Sequence, residues 1–187
     1  MPITEPQWSK TIQTPRLSLR VVDEETLPLV FTSLSEQDQR IYLGATSNEA
    51  YARERLRYEK GCTTFNKSFV SFYIVEKERG DVIGWQGYHT WYLEHRRAEI
   101  GYLLFEDKYM NRGYLSEAMP EMLDYGFHKM DLHRVEAFVE PGNGASLRLM
   151  NKFGFVNEGH LRQHYIKNNV IEDSLVFSLL RSEYNKP

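Results

Sequence analysis

The sequence predicts a mixed α/β fold of the α+β kind, built as one domain over residues 1–187. Three observations predict it. Runs that alternate polar with apolar residues, or that are rich in β-branched and aromatic residues, recur along the chain as half-buried strands require. Between them, apolar residues return at three- and four-residue steps, the spacing of one helix face. No linker, internal repeat or low-complexity tract divides the 187 residues, a length that can bury a core without disulfides or metal.

Taken in order, residues 1–15 read as a lead-in with three prolines and a tryptophan, loose over 1–13. Arg16 to Val22 alternates and suits a strand. Asp23 can cap the helix that follows, with Glu24 and Glu25 placed to meet its dipole. Helices are expected at 25–35 and 48–60, the second strongly polar, with Arg53, Glu54, Arg55, Arg57 and Glu59 on its faces. Such a helix is either laced with exposed ion pairs or forms a wall facing a substrate. Phe69 to Val75, Val82 to Trp91 and Ala98 to Phe105 read as three strands with short polar connections, hence an antiparallel meander. Leu115, Ala118, Met119, Met122, Gly126, Phe127 and Met130 then form one apolar helical stripe. Pro120 inside it should kink the helix, because proline lacks the backbone donor. Arg134 to Glu140 is a strand, Ala145 to Phe153 a short helix stopped by Gly154, and 159–165 and 172–180 two closing strands.

Composition narrows the function classes. No apolar run approaches the ~18 residues that span a bilayer. The first six residues carry neither the basic nor the apolar region of a secretory signal. Cys62 is the single cysteine, which excludes an intrachain disulfide and a cysteine-based zinc set. A net charge of −3 argues against a general nucleic-acid binder. These features predict a soluble cytoplasmic protein with no membrane, nucleic-acid or metal partner.

The most informative segment is Met110-Asn111-Arg112-Gly113-Tyr114-Leu115-Ser116, between a strand and a helix. A glycine at a helix entrance lets the unpartnered first-turn amides converge on an anion such as a pyrophosphate. Arg112 can add charge beside it. By itself, the segment is equally an ordinary strand-to-helix connection.

The segment resembles the acyl-CoA loop of the GNAT acetyltransferases, whose pattern is Gln/Arg-x-x-Gly-x-Gly/Ala. The resemblance extends through Thr14-Pro15-Arg16-Leu17, Ala98-Glu99-Ile100-Gly101-Tyr102, Leu132-His133-Arg134-Val135, Asn143-Gly144-Ala145-Ser146, Asn151-Lys152-Phe153-Gly154-Phe155 and Glu158-Gly159-His160-Leu161-Arg162. In order and spacing these motifs look like the RimJ/RimL branch, which includes N-terminal acetyltransferases of ribosomal proteins. The resemblance implies the GNAT fold: a mixed, mostly antiparallel sheet of about seven strands, splayed at the acetyl-CoA site and flanked by about four helices. Two positions depart from the pattern. Met110 replaces Gln or Arg, and Leu115 replaces Gly or Ala and brings bulk toward the cosubstrate.

The implied activity is direct transfer of acetyl from acetyl-CoA to a primary amine, with no protein nucleophile; Cys62 is then structural or a surface thiol. An α-amine titrates near ~8 and a lysine near ~10.4, so a base is needed at neutral pH. The resemblance puts Glu99 in that role. The alternatives are a cross-strand ion pair of Glu99 with Arg96 or Arg97, and a base at His89, His164 or Glu158. Ser146 is the implied acid toward the departing thiolate, since Met150 stands where many relatives carry tyrosine; local capping is its alternative. Asn143 resembles the family asparagine that bonds the pantetheine arm, or simply forms an Asn-Gly turn. Leu103, Leu104 and Phe105 would offer backbone groups to the pantetheine, and Asn111, Arg112, Gly113, Tyr114, Leu115 and Ser116 the pyrophosphate cradle. The acceptor reads first as a protein N-terminus. His95-Arg96-Arg97-Ala98-Glu99 also resembles spermidine acetyltransferases, so a polyamine or other small amine is the second reading. A non-catalytic acyl-CoA-binding regulatory domain is the reading of another class. The branch includes monomers and homodimers.

Overall fold

Leu17, Leu19 and Val21 face one side of a strand whose other side carries Arg20 and Val22, and all five are buried. Both faces of the sheet are therefore covered at this strand. The computed structural model describes residues 3–61, 67–167 and 169–185, so Cys62 lies outside the described residues. Among these, eight strands form one sheet: β1 (Lys10–Gln13), β2 (Leu17–Val22), β3 (Lys67–Glu76), β4 (Val82–Tyr92), β5 (Arg97–Leu104), β6 (Arg134–Val139), β7 (Val156–Lys167) and β8 (Val170–Leu180). Their order is β1-β2-β3-β4-β5-β6-β8-β7, antiparallel throughout except for β5 against β6. Five α-helices flank it: α1 (Thr26–Ser33), α2 (Glu36–Leu43), α3 (Asn48–Lys60), α4 (Tyr114–His128) and α5 (Gly144–Lys152).

On one face, Leu19, Phe72, Ile74 and Ile100 of the sheet meet Met119, Met122 and Phe127 of α4. Each such fully buried side chain contributes about 1.5–3 kcal/mol relative to exposure. On the other face, Val22, Phe69 and Tyr73 meet Leu27 and Val30 of α1 and Tyr42 of α2.

The meander β3–β4–β5 stands as the sequence predicts, and the expected sheet of about seven strands with about four helices has eight and five among the described residues. The extra strand is β1, inside the segment read as loose. That segment is anchored by Trp8 against Tyr42 (5.5 Å between ring centres) and by Glu5, which accepts from the buried Arg20 at 2.6 Å. The extra helix is α2, set off from α1 by Ser35, whose hydroxyl accepts from Asp38 N, and closed by Gly44 in the left-handed region at φ 65°. Pro120 lies within α4, which runs through it; the Pro120 carbonyl accepts from the Tyr184 hydroxyl at 3.0 Å. In α3 the polar faces are tied by ion pairs, Arg55 to Glu59 at 2.8 Å and Arg57 to Glu54 at 3.6 Å.

Candidate active site

Strands β5 and β6 run side by side over only three positions, Arg97 with Arg134, Ala98 with Val135 and Glu99 with Glu136. Beyond Glu99, β5 continues to Leu104 and β6 to Val139 without pairing, so the sheet forks there. Side chains alternate along β5. Ile100, Tyr102 and Leu104 face α4, whereas Glu99, Gly101 and Leu103 face the opposite side, where His89 and Trp85 stand over Gly101.

On the α4 side a cleft of about 260 Å³ opens between β5, the entrance of α4 and α5. Gly113 caps α4 at φ 77°, and Glu117 N donating to Gly113 O at 2.9 Å is the first bond of the helix. Among the described residues no side chain caps the amides ahead of it, and a helix dipole favours an anion in front of them. Arg16 braces this entrance: it donates to Glu117 Oε2 at 2.6 Å and to the Arg112 carbonyl at 3.0 Å, and its guanidinium covers the Tyr114 ring at 4.7 Å. Burial would raise the Glu117 carboxyl, but hydrogen bonds from Thr14 and Arg16 outweigh it and hold the group below its usual value.

Of the residues the sequence nominates, Leu104, Asn111, Gly113, Tyr114, Leu115, Ser116 and Ser146 line this cleft. The others lie apart from its lining. Leu103 is 51% exposed on the far face of β5. Phe105 spends its N–H on Ile83 O at 2.9 Å. By the alternation of an antiparallel ladder, the backbone groups of Leu103 also turn toward β4, and those of Tyr102 and Leu104 face the open edge. Arg112 is not in the lining; the Glu76 carboxylate and burial push the Tyr114 phenol up, and Arg112 pulls it down. Asn143 caps α5, accepting from Ser146 N at 3.0 Å. Sequence reasoning missed Tyr102, Arg148 and Lys152, which also line the cleft. The four-residue step from Arg148 to Lys152 was a visible helical signal. Of the departures, Leu115 forms cleft wall, Met110 is exposed and Met150 is fully buried in the core.

Glu99 sits at the fork, on the face opposite the cleft. Burial pushes its carboxyl up, Glu136 adds to that, and His89, His164 and Thr90 pull it down. The ladder between β4 and β5 slips at His89, so a bulge aims its ring at Glu99, with Nε2 3.4 Å from Oε1. Burial, and after it the Glu99 carboxylate, push the Tyr165 phenol of β7 up. Neither Arg96 nor Arg97 pairs with it. Arg97 is held by Glu136 at 2.6 Å and Arg96 by Asp131 at 2.9 Å. Glu158, an alternative base by sequence, is bound by Arg134 at 2.5 Å and accepts from Ser178, which hold it down at about 2. A carboxylate held that low is a weak base. Among the described residues no cluster of metal ligands occurs and no helix is long and apolar enough to cross a membrane.

Comparison with known proteins agrees with this geometry. The family model for the acetyltransferase (GNAT) domain matches residues 16–156. The uncharacterized N-acetyltransferase p20 of Bacillus licheniformis is 33% identical over 94% of this chain and 98% of its own. A spermidine N(1)-acetyltransferase of Vibrio cholerae is 27% identical over 60% of this chain and 64% of its own. The solved structure of ribosomal-protein-S5-alanine acetyltransferase from Vibrio fischeri shares the fold at a TM-score of 0.69, with 19% identity, over 94% of this chain and 99% of its own. With its forked sheet, its open helix entrance and a family match across most of its length, the chain belongs to the GNAT N-acetyltransferases, enzymes that take the acetyl group from acetyl-CoA and pass it to an amine.

Proposed function

We propose that this enzyme acetylates the N-terminal α-amine of a protein in the cytoplasm, in the manner of the RimJ/RimL branch. One observation carries the choice of acceptor: at the fork, Glu99 is the carboxylate that no arginine or lysine pairs with among the described residues, while Glu136 and Glu158 are neutralised by Arg97 and Arg134. A polyamine carries several ammonium groups and calls for several free carboxylates; an α-amine calls for one. The α-amine also titrates near ~8, more than two units below a lysine, so a carboxylate has less work to deprotonate it.

In this reading the cleft residues hold the donor. The α4 entrance at Gly113, Tyr114, Leu115 and Ser116, with Asn111, takes the pyrophosphate, and Arg148 and Lys152 add positive charge. The edge-facing backbone of Tyr102 and Leu104 receives the pantetheine arm, and the same edge offers an amide to the oxyanion. Glu99 meets the amine from the other face, through the fork. It takes the amine proton, and His89, 42% exposed against 16% for Glu99, passes it to solvent. Ser146 serves the departing thiolate.

Polyamine acetylation is the second reading, favoured by the Vibrio cholerae spermidine relative. Thiol release from acetyl-CoA, followed with short peptides bearing free N-termini, with spermidine and with N-terminally blocked lysine peptides, separates the two. Turnover is expected at least about tenfold faster with the free N-terminal peptides, the discrimination that ~1.4 kcal/mol provides. Faster turnover of spermidine would reverse the assignment, and acetyl-CoA binding without release to any amine would favour a regulatory domain.

A further inference from the structure

We propose that Tyr102 and Ser146 form a two-hydroxyl relay that protonates the departing thiolate, with β5 supplying the phenol that α5 lacks at Met150. The inference rests on the acetyltransferase reading and deepens its second half. Met150 is fully buried within the core and carries no proton to give. Tyr102 lies opposite Gln86 in the β4–β5 register, on the face that looks toward α4, and its side chain lines the cleft beside Leu104. Ser146 lines the same cleft from α5; burial pushes the Tyr102 phenol up and the Ser146 hydroxyl pulls it down. The other two phenols in the lining are engaged elsewhere: Tyr114 donates to Glu76, and Tyr109 lies edge-on to Tyr114 with Lys108 over its ring at 4.8 Å.

Ser146 is fixed through its backbone. Asn143 accepts from Ser146 N at 3.0 Å, which sets the first turn of α5 without using the Ser146 hydroxyl. Catalytic hydrogen bonds that are loose without substrate tighten once the reacting groups are in place. When the tetrahedral adduct collapses, the C–S bond breaks and its electron pair goes to sulfur. The Ser146 proton moves to sulfur, and the Tyr102 proton moves to the Ser146 oxygen. The transient phenolate, in a cleft that Arg148 and Lys152 also line, regains a proton from solvent. The proton lost by the amine leaves separately, by Glu99 on the other face, so gain and loss balance. Ser146 touches the reacting sulfur; Tyr102 acts through it and is a positioning residue.

The test compares wild type, Tyr102→Phe, Ser146→Ala and the double variant by two readouts. The first is kcat against KM for acetyl-CoA. The relay predicts that Y102F lowers kcat about 10- to 100-fold, at or below the lower end for a general acid because a thiol of pKa near ~8.5 leaves readily, with KM changed less than about twofold. It also predicts that the double variant is no slower than the slower single one, as for groups acting as a unit. The second readout needs no acceptor: the ultraviolet titration of the CoA thiol bound to each protein. Loss of either hydroxyl should raise the bound thiol's pKa by about one unit, since a hydrogen bond to the charged form favours it. Turnover of Y102F within twofold of wild type, losses that multiply in the double variant, or an unmoved thiol titration would each overturn the relay. If Y102F does not fold, 2,3-difluorotyrosine at position 102 replaces it; a lowered bound-thiol pKa supports the relay and an unchanged one overturns it. A wrong acceptor leaves the thiol titration standing, whereas failure of CoA to bind overturns the acetyltransferase reading and the relay together.

Discussion

At the last paired position of β5 and β6, Glu99 keeps a carboxylate largely out of water with a histidine, rather than an arginine, at 3.4 Å. Removing the surrounding water raises the energy of the ionised form, so the Glu99 carboxyl titrates above the ordinary 4.5. A base works only when ionised. The acid limb of kcat/KM should therefore fall at a higher pH than an ordinary carboxylate would give, with activity lost as pH drops through that raised value. Glu99→Gln should lower kcat about 100-fold or more and remove this limb, read from rate profiles across acid and neutral pH. An unchanged limb in E99Q would transfer the role to His89. Glu99 was legible in the sequence through its motif, but its freedom from Arg96 and Arg97 was not. That depends on Glu136 and Asp131, which are 39 and 35 residues from the arginines they hold.

Among the elements, α4 does two separable jobs, and two of its glycines mark them. Gly113 holds the left-handed conformation at the entrance; a Cβ there meets only the far end of Arg16 at 3.7 Å, so substitution is opposed by backbone strain and not by crowding. Gly126 lies where a Cβ would overlap the Tyr88 hydroxyl, which donates to the Met122 carbonyl at 2.9 Å. Gly126→Ala should lower stability by about 1–3 kcal/mol while leaving acetyl-CoA affinity near wild type. Gly113→Ala costs about 1–2 kcal/mol of strain, and a chain that relaxes it turns the amides away, weakening acetyl-CoA binding roughly tenfold. Denaturant melts and calorimetric titration of both variants check the contrast; equal loss of affinity in the two would contradict it. The strongly periodic elements, α4 and the β3–β5 meander, were readable because burial imposes their period. By contrast, β1 has one partly buried residue, Ile12, in four. Helix α2 buries three residues in eight, so only its Ser35 and Gly44 boundaries carried a signal. The apolar run Leu103-Leu104-Phe105 hid which backbone groups face the cleft, because three apolar residues in a row carry no alternation. Only the pairing with β4 resolves it.

Across the whole molecule, the proposed reading has two reactants meet from opposite sides of one sheet, through the fork between β5 and β6. The α4 face holds the cleft with Gly113, Tyr102 and Ser146, and the other face holds Glu99 and His89. Separation of donor and acceptor sites suits direct transfer without a protein nucleophile, since both reactants are held together before reaction. At the fork this layout leaves one carboxylate unpaired with arginine or lysine among the described residues, the feature on which the proposed preference for an α-amine over a polyamine rests. The most direct measurement is tandem mass spectrometry of the product formed from acetyl-CoA and a peptide that offers both a free N-terminal amine and an internal lysine. The account predicts a single acetyl group, on the N-terminal nitrogen, lost in Glu99→Gln. Acetyl on the lysine nitrogen, or a product whose rate is indifferent to Glu99, would contradict it.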